Sequence, residues 1–115
     1  MLRQGFVLES ESEFREAVAL DGRSAEAHSG LARVLEAQQD SAGARTEAAA
    51  ALRLKPFAEP LLVLARLDLR ENKADDASKS VDRALQMEPS NGSALALKRS
   101  IAAKLAEKAQ PLPNQ

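Results

Sequence analysis

The 115-residue sequence predicts an all-α protein, a stack of antiparallel helix pairs laid side by side. Three observations carry that expectation. The chain repeats itself at an interval of 33 to 34 residues, apolar residues inside each unit return every three or four positions, and a proline closes each complete unit. Periods of this length mark stacked supersecondary units, none of which can bury its apolar face alone.

A shift of 33 residues carries Leu31-Ala32, Ala44, Ala48, Ala51-Leu52, Leu54 and Pro56 onto Leu64-Ala65, Ala77, Val81, Ala84-Leu85, Met87 and Pro89. A shift of 34 in the other direction carries Gln39, Ala48, Ala51-Leu52 and Leu54 back onto Gly5, Phe14, Ala17-Val18 and Leu20. The spacing of His28, Leu31, Ala32 and Leu35 is helical, and so is that of Ala44, Ala48, Ala51 and Leu52, so each unit is two helices. Helices are expected near 7–20, 25–38, 42–54, 58–71, 74–87 and 92–109, after a helix end at Leu2 to Gln4. The polar segments Gln39-Asp40-Ser41 and Asn72-Lys73 divide two of the pairs, and Gly5 aligns with Gln39 and Asn72. Glycine and asparagine accept the left-handed conformation that ends a helix, a role that Gln39 fits less well. Pro56 and Pro89 follow the last apolar residue of a second helix by two positions, where a missing N–H stops the helix. Ser24, Ser90 and Asn91 supply capping oxygens for the first helices that follow.

Composition narrows the function classes. Aromatic residues make up 3% of the chain, so the core must come from Ala, Leu and Val with three Phe. A formal net charge of -1, with no alternation of basic and aromatic residues, argues against a nucleic-acid partner. Apolar runs such as Leu61 to Ala65 fall far short of the roughly 20 residues that span a bilayer, so no membrane insertion is expected. There is no cysteine, hence no disulfide framework and no thiolate chemistry. No nucleophile and base are paired, and no phosphate loop or metal-ligand spacing is present; neither an enzyme nor a cofactor is expected. The only histidine, His28, lies at helical spacing and is expected to pack between helices. Glu9, Glu11, Glu13 and Glu16 read as charge offsetting a helix dipole rather than as a cation site.

Ala25-Glu-Ala-His-Ser-Gly-Leu-Ala32, Gln38-Gln39-Asp40, Ala44, Ala51-Leu52-Arg-Leu54-Lys-Pro56 resembles one whole tetratricopeptide repeat. Ala58-Glu-Pro-Leu-Leu-Val-Leu64-Ala65, Glu71-Asn72-Lys73, Ala77, Ala84-Leu85-Gln-Met87-Glu-Pro89 resembles a second, and Arg3-Gln4-Gly5, Phe14, Ala17-Val18 and Leu20-Asp21 the close of a third. The resemblance implies a right-handed α-solenoid over residues 1–109: a partial repeat at 1–23, full repeats at 25–57 and 58–90, a capping helix at 91–109, then a disordered tail at 110–115. It departs from the family's pattern at His28 and Leu61, where Trp is frequent, at Asp68, where a large aromatic is usual, and at Gly22, which replaces the first proline. The basic residues Lys98, Arg99, Lys104 and Lys108 suit a helix that closes the stack toward water. At the other end the unit carrying Phe14 lacks most of a partner helix, so a longer parent protein or a neighbouring chain is expected to cover it.

The resemblance also implies a groove lined by the first helix of each unit. On this chain the partner-binding residues would be Ser29, Arg33, Glu36, Leu62, Arg66, Leu69 and Arg70, with Arg33 and Arg66 able to hold carboxylates of an extended acidic peptide. Leu62, Val63 and Leu69 exceed what one helix face needs, and some are expected to form an exposed patch. A subclass of the family clamps the carboxyl end of chaperone tails with Lys and Asn; the matching positions here are Ser29, Arg33, Val63 and Glu59, so that ligand is not expected. The function implied is a non-enzymatic scaffold for a protein or peptide. Its rival is a structural role in which Phe14 and Val18 mediate self-association, giving a homodimer.

Overall fold

Gln39 and Asn72, one in each turn between the helices of a pair, both adopt the left-handed conformation, with φ of 66° and 63°. Each ends its helix in a Schellman motif. The Asp40 N–H donates to the Leu35 carbonyl at 2.9 Å and the Gln39 N–H to Glu36 at 3.0 Å; the Lys73 N–H donates to Asp68 at 2.8 Å and the Asn72 N–H to Leu69 at 3.1 Å. The next helix starts at once, because Asp40 accepts from the Gly43 N–H at 2.9 Å. Ser24 and Asn91 cap their helices in the same way, accepting from Ala27 and Ala94.

The computed structural model describes the backbone of residues 2–109 and the side chains of residues 10–109. Among these residues the chain forms six helices and no strand: α1 Leu2–Leu20, α2 Ala25–Ala37, α3 Ser41–Leu54, α4 Ala58–Arg70, α5 Ala74–Met87 and α6 Gly92–Ala109. From Ala25 onward every helix begins and ends within one residue of its expected bounds. The first does not. α1 runs unbroken through Gly5, where a turn was expected. A lone helical glycine costs only about 1 kcal/mol, too little by itself to end a helix. The expected tail at 110–115 lies outside the described residues.

The stack is elongated, 58 × 35 × 23 Å, with a radius of gyration of 15.8 Å against the roughly 13 Å of a compact chain this long. Its core is a series rather than one centre. Leu31, Ala32, Leu35, Ala44 and Ala48 of the α2–α3 pair enclose Val63 and Leu67 of α4, with Phe14, Val18 and Leu64 packed around them. Leu61, Leu62 and Ala65 from α4 join Ala77, Val81 and Ala84 of α5 and Ala94 and Ile101 of α6 in a second cluster. The apolar excess on α4 is thereby explained, and the expected exposed patch is corrected: α4 lies between two clusters, so Leu62 and Val63 are buried and Leu69 packs against the second cluster. Recurrence is not burial everywhere. Leu20, Leu54 and Met87, which match under the repeat shift, are all exposed, Leu20 to 82%.

Phe14 and Val18 do not stand free. The Phe14 ring lies over Gly30, so close that a β-carbon there would be 2.2 Å from it, and both side chains are half-buried against the first cluster. His28 ties α2 to α3 by hydrogen bonds rather than packing alone: Nδ1 meets Glu47 Oε1 at 2.7 Å and Nε2 meets the Gly22 carbonyl at 2.9 Å. Both partners are acceptors, so only the imidazolium donates to both. Burial works against that charge and Arg53 opposes it weakly, yet Glu47 and the Gly22 carbonyl outweigh them and raise the His28 pKa.

Two outcomes follow for stability. Gln39→Gly should raise the unfolding free energy by about 0.5–1 kcal/mol in urea titrations, by relieving a left-handed conformation that glycine adopts without strain. His28 binds its proton more tightly folded than unfolded, so its stabilisation is complete below pH ~6.5 and is lost as pH rises through the raised folded value. Urea midpoints should therefore fall between about pH 6 and 8 in the native protein, and His28→Gln should flatten that slope.

Candidate functional site

α2 and α4 are the first helices of their pairs, α6 takes the same place in the next unit, and each touches its neighbour. A cavity of about 290 Å³ opens where they meet, lined by Arg33, Glu59, Leu62, Arg66, Asn91 and Ser93. A second, of about 580 Å³, lies nearer the α2–α3 turn, lined by Glu36, Ala37, Gln39, Ser41 and Arg70. Glu36 lines one and Arg66 the other, so the ion pair between them is the partition.

That pair is well made. Arg66 donates from Nε to Glu36 Oε2 and from Nη2 to Glu36 Oε1, both at 2.8 Å, and only 7% of the Glu36 side chain is exposed. Arg70 Nη2 adds a contact at 3.4 Å. The hydrogen bonds and charge of Glu36, joined by the charge of Glu59, overcome burial and push the Arg66 guanidinium above its ordinary range. Arg33 is held differently. Its Nε lies 3.0 Å from Glu59 Oε1, with the two side chains 63% and 43% exposed. On the other flank, Arg45 donates to Asp68 at 2.8 Å and to Glu71 at 3.0 Å. Burial disfavours the Arg45 charge, but those two carboxylates raise its pKa overall, and the Arg45 bond holds Glu71 below the usual carboxylate range. Asp68, at a position where the tetratricopeptide pattern has a large aromatic, is thus a buried acceptor joining α3 to α4.

The seven residues expected in the groove divide into three groups. Arg33, Leu62 and Arg66 meet in the first cavity, and Glu36 and Arg70 in the second. Ser29 lines neither: it is 2% exposed, and its hydroxyl has no hydrogen-bond partner among the described residues. Leu69 also lines neither, because it turns toward the second core cluster. Asn91 was legible only as a helix cap, since its repeat equivalent Ala58 has no polar atom; Gln39 was legible only as a turn. Glu59 was legible as the residue at a clamp position and not as the partner of Arg33, because the repeat shift relates equivalent positions and not unlike residues facing each other across a boundary. Among the described residues no cluster of His, Cys, Asp or Glu could hold a metal ion, and no helix is long and apolar enough to cross a membrane.

No protein-family model and no curated protein matches the sequence. Solved structures do match the fold. The first tetratricopeptide-repeat domain of Spaghetti (RPAP3) bound to the HSP90 peptide SRMEEVD superimposes with a TM-score of 0.81 at 21% identity, over 91% of this chain and 84% of that one. The first such domain of human RPAP3, solved by NMR, gives 0.82 at 21% identity, over 93% and 85%. TTC0263, a thermophilic tetratricopeptide-repeat protein of Thermus thermophilus, gives 0.72 at 24% identity, over 90% of this chain and 52% of that one. The chain has the fold of a tetratricopeptide-repeat domain.

Arg66 and Arg33 should behave unequally when removed. Arg66→Ala leaves the buried Glu36 carboxylate without its bidentate partner and should cost about 2–3 kcal/mol in urea unfolding. Arg33→Ala removes one exposed contact and should cost less than about 0.5 kcal/mol.

Proposed function

We propose that this chain is a non-enzymatic interaction scaffold that holds an extended peptide or loop of a partner protein along α2, α4 and the start of α6. One observation carries the reading: side chains from three successive units converge on a single opening, the cavity lined by Arg33, Glu59, Leu62, Arg66, Asn91 and Ser93. Pockets for drug-like molecules are lined mainly by apolar and aromatic groups. Here Leu62 is the one apolar lining side chain and the rest are charged or polar, which suits a segment read by charge and hydrogen bonds.

The Spaghetti domain of the same fold is bound to an HSP90 peptide, which supports a peptide as the class of ligand. It does not carry over that peptide. At the chaperone-clamp positions this chain has Ser29, Arg33, Val63 and Glu59, and Ser29 and Val63 are buried. A partner of different sequence is the better fit. Self-association through Phe14 and Val18 has less support, because both side chains are half-buried against the protein's own first core cluster.

Peptides selected from a random twelve-residue display library on the native protein test the assignment. Binding should drop at least tenfold with Ser93→Trp, which fills the mouth of the first cavity, and persist with Lys79→Glu on exposed α5. Selected peptides indifferent to Ser93→Trp would place the ligand elsewhere.

A further inference from the structure

Three arginines face the groove, and their engagement is graded. Arg66 is committed, since two aligned hydrogen bonds bind it to a carboxylate 7% exposed, and freeing it would strand that carboxylate out of water. Arg70 touches the same carboxylate only at 3.4 Å and is more than half exposed. Arg33 pairs with Glu59 at 3.0 Å while 63% of its own side chain stays exposed beside the cavity. The Glu59 carboxylate touches Arg33 and adds its charge to the field at Arg66. It therefore occupies the place among the guanidinium groups where an incoming carboxylate would gain most.

On the groove reading above, we propose that Glu59 is an internal substitute for the ligand, occupying Arg33 when the groove is empty and yielding it to an acidic side chain of an extended peptide. Arg33 and Arg70 then choose the ligand, and Arg66 is a positioning residue that fixes the partition between the two cavities through Glu36. Opening the Arg33–Glu59 contact costs little, because exposed pairs in water are weak. Opening the Glu36 pair is far costlier, so the acidic side chain takes Arg33. The second cavity places Arg70 beside Ser41 and Gln39, where a further acceptor of the same segment is held.

Fluorescence anisotropy with a fluorescein-labelled peptide of three Gly-Glu repeats, and three Gly-Gln repeats as the neutral control, tests this at low salt. Glu59→Gln should tighten binding of the acidic peptide about two- to fivefold, the scale of removing one exposed competitor. Arg33→Gln should weaken it about five- to tenfold, and Glu59→Gln should add nothing in that background. Thermal melts of all three variants should overlay the native protein, because both side chains are exposed. Acidic-peptide binding unchanged by Glu59→Gln, or tightened equally in the Arg33→Gln background, overturns the competition and leaves the groove standing. Library peptides that bind and are lost with Ser93→Trp, combined with no binding of the Gly-Glu peptide, overturn the acidic class alone. A protein that binds neither removes the groove and this inference together.

Discussion

The stack depends on buried alanines shared by the two helices of each pair, Ala32 and Ala44 in one and Ala65 and Ala77 in the next. All four are fully excluded from solvent. A methyl group at those positions lets two helices approach to the lower end of the usual 8–10 Å separation, and repeating the approach repeats the geometry of the pair. Equivalent helices then fall side by side, and the channel along α2, α4 and α6 results. The next position in that series is Lys98, which is 57% exposed and paired with Asp82 of α5. Its bulk and charge suit an outer surface, and α6 accordingly ends the stack among the described residues.

Alanine crossings hold each pair together but provide little to join one pair to the next. That task falls to α4, whose Val63 and Leu67 enter the first cluster while Leu61, Leu62 and Ala65 enter the second. Charge reinforces the join on both flanks, through Glu36 with Arg66 and Arg70 and through Arg45 with Asp68 and Glu71. These pairs are not equivalent. The desolvated ones act as fixed structure, since either charge left alone would be stranded, whereas the exposed Arg33–Glu59 contact is labile. Pairs of the same chemistry thus differ in burial along one face of α2 and α4.

The fold matches solved domains closely although identity is only 21–24%. The departures explain how. Where the family's pattern has large aromatics, His28 donates to Glu47 and to the Gly22 carbonyl, and Asp68 accepts from Arg45. Directional bonds there do the joining that bulk does elsewhere, so the period survives while the residues that usually display it do not.

From Ala25 onward helix number, helix ends and the pairing of helices were legible in the sequence, because spacing, left-handed turn residues and prolines act within a few positions of themselves. Gly5 misled because a single glycine is tolerated inside a helix at a cost of only about 1 kcal/mol, so its presence alone does not end one. What only the tertiary structure decided is which face of a helix meets which neighbour. Leu62, Val63 and Leu69 looked surplus until α4 lay between two clusters, Ser29 looked available until it was buried, and Arg33 and Arg66 looked alike until one found an exposed carboxylate and the other a desolvated one. Burial of a charge is a property of everything around it, and the residues surrounding Glu36 come from helices that the local sequence does not connect.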